Sequence, residues 1–302
     1  MQPQSGGRYI DCTLGAGGHA FGILESSLPD GRLLGLDVDP RALDLARNRL
    51  LDFGNRAIIV KASYSTLKDQ LTAIGWQKVD GILLDLGVSS MQFDEGERGF
   101  SFMVDAPLDM RFDPQNPLTA MEIVNSYSEE ELADIIYRYG EEKRSRQIAR
   151  KIVQNRPVNT TAELARLIAG IAGGRRKNIH PATRTFQAIR IAVNNELETL
   201  QKTLPQAIEV LESGGRMAVI SFHSLEDRAV KNHFKQWARG GEGDPPSFCI
   251  LTPKPVMASS AEVLDNPKAR SAKLRAAEKL FRNTKREEKW QKRSLSESPS
   301  VA

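Results

Sequence analysis

The sequence predicts an α/β fold: a doubly wound sheet carrying an inserted all-helical domain. Three observations predict it. Over the first hundred residues short apolar runs alternate with helical or turn-rich stretches, residues 118–211 carry helical patterning only, and strand-like runs return after them.

Residues 8–12, 32–36, 57–60 and 81–84 are short and apolar, as buried parallel strands are. Between the second and third, residues 40–51 place Ala42, Leu43, Ala46 and Leu50 at helical spacing, with Pro40 in a first-turn position. Asp39 is read as a solvated neighbour. In the helical stretch, Ser128 followed by Glu129, Glu130 and Glu131 is a capping signal, as is Thr160 with Glu163, and Gly173-Gly174 is a break. Residues 214–222 are a turn and a buried strand, and 248–252 a further strand. The boundaries that follow are 1–110 for the first part of the sheet domain, 111–205 for the helical insertion, 206–284 for the second part, and 285–302 for a basic, serine-rich, disordered tail.

Of the 302 residues, 40% are hydrophobic and 26% charged, which excludes disorder throughout. No apolar run approaches the ~18 residues of a membrane span, so a cytoplasmic protein with no membrane partner is expected. Two cysteines, Cys12 and Cys249, cannot build a disulfide framework or a zinc ribbon, and no structural metal is expected. The net charge of +4 is uneven. Residues 268–293 hold eleven lysines and arginines against three glutamates, leaving the remainder net acidic. That run is read equally as a solvated tail or a nucleic-acid contact.

Residues 11–19, Asp-Cys-Thr-Leu-Gly-Ala-Gly-Gly-His, follow the first strand and precede a helix, where glycines let the backbone approach a nucleotide-like cofactor. Residues 15–20 also fit a dinucleotide fingerprint, and Asp37, ending the second strand, suits the ribose of NAD or of S-adenosylmethionine equally. Asp85 ends the fourth strand at the carboxyl edge, where open α/β sheets hold their ligands; a helix cap or an edge carboxylate is the alternative.

From Asp85-Leu86-Gly87-Val88-Ser89-Ser90-Met91-Gln92-Phe93-Asp94 through Arg98-Gly99-Phe100-Ser101-Phe102, the chain resembles the bacterial small-subunit ribosomal RNA cytosine-N4 methyltransferases, the MraW-type family. The resemblance continues in residues 107–111, 139–142, 180–191 and 221–228, and covers roughly residues 9–279. It implies a class I S-adenosylmethionine-dependent methyltransferase sheet, with a cytidine of the small-subunit (16S) RNA, naked or in the assembled subunit, as substrate. By matching positions it assigns cofactor contacts to Gly17, Gly18, His19, Asp37, Tyr64, Asp85 and Gln92. Tyr64 follows the third strand, where an aromatic ring can stack on adenine; core or surface is the other reading. Two departures stand out. The family's leading segment with a His-x-Pro-Val-Leu-like stretch does not precede the first strand here, so either part of a cofactor or RNA lid is expected to be missing or the start is misassigned or truncated. Met91 stands where many relatives have proline, which loosens the turn before Gln92 without removing a functional group.

Methyl transfer from a sulfonium needs alignment and no metal. Cytosine N4 is a poor nucleophile, so its proton must be accepted as the methyl arrives, and Asp85 with nearby backbone carbonyls are the candidates. The amino-methyltransferase tetrapeptide with two prolines and an aromatic is absent; residues 85–88 occupy its place. Carbon-5 methylation is disfavoured because neither Cys12 nor Cys249 is placed as a nucleophile. A serine hydrolase is disfavoured because Ser221, His223 and Asp227 are too close in sequence to converge. His223 is read equally as facing the target base or a phosphate and as a capped, solvated helix start. After His180, Phe186, Ile189, Val193 and Leu197 form a core stripe, while Gln187, Arg190 and Asn194, with Arg175, Arg176, Lys177 and Arg184, form an RNA-facing surface; a solvated polar face is the alternative. A non-catalytic ribosome assembly factor and an NAD oxidoreductase are the rival functions.

Overall fold

The computed structural model describes residues 1–89, 91–92, 96–172, 180–241 and 245–281. These form two compact units, Met1–Gly87 with Thr199–Ala302, and Val88–Glu198.

The first unit is built on strands β1 (Arg8–Asp11), β2 (Arg32–Asp37), β3 (Ala57–Lys61), β4 (Val79–Asp85), β5 (Leu211–Ser221), β6 (Phe248–Ile250), β7 (Val256–Met257) and β8 (Lys273–Lys279). The sheet order is β3-β2-β1-β4-β5-β8-β6, with β7 also pairing β8. Strands β1 to β5 run parallel, whereas β8 is antiparallel to β5, β6 and β7. Side chains alternate between the faces as a strand's period of two requires. Ile10, Leu34, Ile82 and Val219 enter one buried cluster with Leu67 and Leu71 of α3 (Leu67–Ala73), Leu204 of α9 (Glu196–Val210) and Phe234 of α10 (Ser224–Arg239). Tyr9, Leu33, Leu83 and Ala218 enter the opposite cluster with Ile23 of α1 (Gly18–Ser26) and Leu43 of α2 (Pro40–Arg49). A short helix, α11 (Ser260–Asp265), precedes β8. The chain crosses from β3 past β1 to β4, so the switch of direction opens a crevice at the carboxyl ends of β1 and β4.

The second unit holds α4 (Ala120–Ser126), α5 (Glu129–Gly140), α6 (Ser145–Gln154), α7 (Thr161–Ala172) and α8 (Thr183–Asn194). The expected caps form: Ser128 and Glu131 make a reciprocal capping box, and Thr160 accepts from the Glu163 amide. Gly140 has no room for a side chain, since a Cβ there would lie 2.6 Å from the Arg184 carbonyl, which lets α5 and α8 pack closely. No described helix is long and apolar enough to cross a membrane.

Four expectations change. The helical unit begins at Val88 instead of residue 111 and ends at Glu198 instead of 205, because Phe100, Leu108 and Met110 bury their side chains in the helical core. Leu197 is not in the α8 stripe: Asn195, with φ 51°, ends that helix and puts Leu197 in α9. Asp39 is buried and not solvated, and caps α2 by accepting from the Arg41 amide at 3.1 Å. Within the first half of the basic run, Lys273–Lys279 form β8, an interior strand. Its Arg275 is buried against Asp227 at 2.6 Å, and its Lys279 donates to the Ile208 and Leu211 carbonyls. The second half, with the tail, lies outside the described residues.

Candidate active site

Three aspartates end three adjacent strands. Asp11 closes β1, Asp37 closes β2 and Asp85 closes β4, and the loop after β1 ties them together. The Gly15 amide donates to Asp37 at 2.8 Å and the Asp39 amide donates to its other oxygen at 2.9 Å. Thr13 links the remaining two, donating its amide to Asp11 at 3.2 Å and accepting from the Asp85 amide at 2.6 Å. Gly17, at φ 79°, caps α1, and a Cβ there would meet Ala46 at 3.4 Å, so glycine fits both the turn and the contact. Gly18 and His19 open α1, whose first amides have no side-chain cap and face the edge with the positive end of the helix dipole.

The electrostatics are those of crowded carboxylates. Asp11 is completely buried, and burial pushes its carboxyl up to about 7, with Asp85 and Asp37 adding to the rise and the Thr13 amide and His19 opposing it. Burial likewise raises Asp37, against the amides of Asp39 and Gly15. His19 Nε2 lies 3.4 Å from Asp85 Oδ2, and that contact holds the imidazole above its ordinary value in spite of burial. One oxygen each of Asp11 and Asp85, Oδ2 and Oδ1 respectively, is buried without a hydrogen-bond partner among the described residues. Such oxygens are costly unless a donor arrives. A ligand with cationic groups satisfies them, whereas the pyrophosphate of NAD brings two negative charges to three carboxylates. Asp11 is the residue sequence reasoning passed over. The signal was there, because it ends its strand as Asp85 does, immediately before the glycine run.

The other expected residues divide. Tyr64 starts a single 3-10 turn after β3, half-buried against the core face that holds Leu67. Gln92 belongs to the helical unit, where it is buried and its side-chain carbonyl accepts from the Ser89 amide at 3.0 Å. His223 is neither solvated nor open to a base: it caps α10, accepting from the Glu226 amide at 3.4 Å, and its ring is buried. Arg190 is not an open phosphate contact, because it makes a bidentate pair with the buried Glu196 at 2.8 Å. Gln187 donates to the Tyr139 carbonyl, and Asn194 bridges Met110 and Phe112 of the incoming loop. Arg184 donates to the Glu141 carbonyl at 3.1 Å and stays partly exposed. Arg175, Arg176 and Lys177 lie outside the described residues. Cys12 is buried and its thiol is pushed well up by burial and by Asp11, the reverse of a nucleophile's need, and Cys249 sits in β6, three strands from β4.

A doubly wound sheet in the order β3-β2-β1-β4-β5, with an antiparallel β8, a glycine turn after β1 and acids ending β2 and β4, is the fold of a class I methyltransferase. Across residues 1–280 the chain matches the model of the MraW methylase family. It is 51% identical to the ribosomal RNA small subunit methyltransferase H of Dehalococcoides mccartyi, over 91% of this chain and 82% of that one. Identity is also 51% to the proteins of the same name from Symbiobacterium thermophilum, over 91% of each chain, and Geobacter sulfurreducens, over 93% and 95%. The chain belongs to the MraW methylase family, and its cofactor is S-adenosylmethionine. The residues fit that cofactor, since the unpartnered carboxylate oxygen of Asp11 suits a cationic group and the uncapped start of α1 suits its carboxylate.

Proposed function

We propose that the protein methylates the exocyclic N4 of a cytidine in small-subunit (16S) ribosomal RNA, naked or within the assembled subunit, in the cytoplasm. The observation that carries the reading is Asp85, at the carboxyl end of β4, with one oxygen against His19 and the other buried and unpartnered. Relatives of this chain bear the name of a small-subunit ribosomal RNA methyltransferase, which supplies the substrate class.

Gly17, Gly18, His19, Asp37 and Tyr64 would hold the cofactor, with Asp11 beside them, and the family resemblance adds Gln92 as a further contact. When bound, S-adenosylmethionine supplies an electrophilic methyl whose bond to sulfur breaks as the bond to N4 forms. Asp85 Oδ1 accepts a hydrogen bond from the amino group, orients its lone pair, and takes the proton that N4 loses. His19, half-exposed, lies against the other oxygen of Asp85 and fixes the orientation of that carboxylate. Among the described members of the expected α8 surface, Arg184 keeps a partly exposed charge, and it contacts RNA phosphate.

The test incubates the protein with unmodified 16S RNA, free and in subunits, and methyl-labelled S-adenosylmethionine, then digests to nucleosides. N4-methylcytidine is expected, and 5-methylcytidine or a label on another base overturns the assignment. Binding of subunits with no transfer of label favours the assembly factor. Asp85→Asn keeps the shape and is expected to slow transfer by about 10²–10⁴-fold at unchanged melting temperature. Unchanged turnover removes Asp85 from the chemistry.

A further inference from the structure

We propose that the outward face of α10 is a docking track for the sugar-phosphate backbone of one RNA strand. The inference rests on the reading that RNA is the substrate, and adds a second contact surface on the sheet unit, apart from the helical unit.

Arg228, Lys231, Lys235 and Arg239 are spaced three, four and four residues apart, which puts them in one line along the helix, about 16 Å long at about 1.5 Å per residue. Arg228, Lys235 and Arg239 are exposed and Lys231 is half-buried. No acid on the helix lies beside Lys231, Lys235 or Arg239. Its two acids, Glu226 and Asp227, precede the line and are engaged elsewhere: Glu226 accepts the Phe222 and His223 amides, and Asp227 holds Arg275 and Lys273. From Arg228 to Arg239 the helix carries no acid at all. On α2 and α5, by contrast, Arg47 and Arg138 each pair with an aspartate one turn back. Lys231, Lys235 and Arg239 have no ion-pair partner among the described residues.

A solubilising surface has no need of such a line, and mixed signs serve better. A membrane is a poor fit. Membrane-surface helices set cations beside exposed apolar side chains, whereas the apolar face of α10 is committed to the core through Val230 and Phe234, and the residues flanking the line are Asn232 and Gln236. The axial intervals of about 4.5 and 6 Å suit successive phosphates of an extended strand, and the flanking amides suit sugar hydroxyls. The placement is also apt. Strand β5 leads into α10, and Ile220 of β5 is the register partner of Asp85, so the line begins beside the carboxyl edge and leads away from it. A strand whose cytidine sits at Asp85 runs its neighbouring nucleotides along α10.

The experiment compares the full chain with the triple variant Lys231→Ala, Lys235→Ala, Arg239→Ala, and with a charge-matched control, Arg47→Ala, Lys68→Ala, Arg138→Ala, whose cations already have acidic partners. Binding to a 16S RNA transcript is followed by filter retention across a salt series, and each variant's melting temperature and S-adenosylmethionine affinity are recorded. The triple variant is expected to bind at least tenfold more weakly at low salt, with the slope of log K against log salt reduced by about 2, or about 0.7 for each released counterion. The control, the melting temperature and the cofactor affinity stay near wild type. Wild-type slope in the triple variant, or an equal loss in the control, overturns the proposal. So does a variant that loses binding to phosphatidylglycerol vesicles while keeping RNA. Methyl transfer by the unaltered chain is read separately on the same transcript, so a failure of the enzymatic reading leaves the slope free to judge the track.

Discussion

The carboxyl edge of the sheet and helix α8 are both dense in polar residues, yet they use them in opposite ways. At the edge Asp11, Asp37 and Asp85 converge with His19, burial raises the carboxyls of Asp11 and Asp37, with Asp85 and Asp37 adding to the rise at Asp11, and two buried oxygens are left without donors. On α8, Gln187, Arg190 and Asn194 each end on a partner inside the helical unit: the Tyr139 carbonyl, Glu196, and the Met110–Phe112 loop. The edge therefore keeps unmet hydrogen-bonding demand that a ligand can satisfy, while α8 has spent its own on holding helices and loops in place. A charged residue's usefulness for binding depends on what remains after folding, and residue type alone does not reveal it.

That contrast breaks first at Arg190. Arg190→Ala leaves Glu196 buried without its guanidinium, and should destabilise the chain by about 3 kcal/mol, read by denaturant unfolding at neutral pH. The salt dependence of RNA binding by the remaining folded protein should not move. A stable variant with a reduced salt slope reverses the assignment and returns Arg190 to the RNA surface.

At the edge, Asp37→Ala should weaken S-adenosylmethionine binding by about 2 kcal/mol, since ribose hydroxyls lose a charged acceptor, while melting changes little; calorimetric titration decides it. Asp11 gives a pH signature. Its carboxyl is raised from the ordinary range to about 7 in the folded chain, so between about 4 and 7 the folded state holds a proton that the unfolded state has lost. Its contribution to stability is full in acid and is lost as pH rises through about 7. A cationic ligand prefers the ionised form, so cofactor affinity rises over the same window and binding releases a proton, seen as buffer-dependent heat. His19, Asp37 and Asp85 face the same group, and Asp11→Asn isolates its share: the rise should flatten. A titration as steep in the variant as in the wild type puts the linkage on His19.

The fold was legible because its signals are local: apolar runs, glycine turns and caps such as Ser128 with Glu131 lie within a few residues of one another. Asp37 and Asp85 were legible for the same reason, as acids ending apolar strands. What escaped depends on distant partners. Strand β8 reads as a basic run because Arg275 and Lys279 spend their charges on Asp227 and on the carbonyls after α9, contacts across tens of residues. Arg190 and Asn194 read as a free face because Glu196 lies beyond the helix end at Asn195, and the loop they hold comes from residues 110–112. Asp11 was passed over because a strand-end acid beside glycines carries no mark of its burial, which only the neighbouring strands create.

The smallest expected effect belongs to Arg184, the residue of α8 that sits between the two behaviours. Its guanidinium donates to the Glu141 carbonyl and lies 3.8 Å from Glu142, yet it remains partly exposed, so part of its charge is committed and part is open. A screened, half-exposed pair contributes little to stability, and Arg184→Ala should shift unfolding by less than about 1 kcal/mol. Should RNA phosphate use the open side, the salt slope falls by about 0.7 to 0.9, the counterion released by one contact, with cofactor affinity unchanged. Arg184→Lys separates the two uses: a lysine keeps the charge and the slope but cannot reproduce a planar fork on the Glu141 carbonyl. A slope unchanged in Arg184→Ala makes the whole described face of α8 a folding element and leaves the carboxyl edge and α10 to carry the substrate.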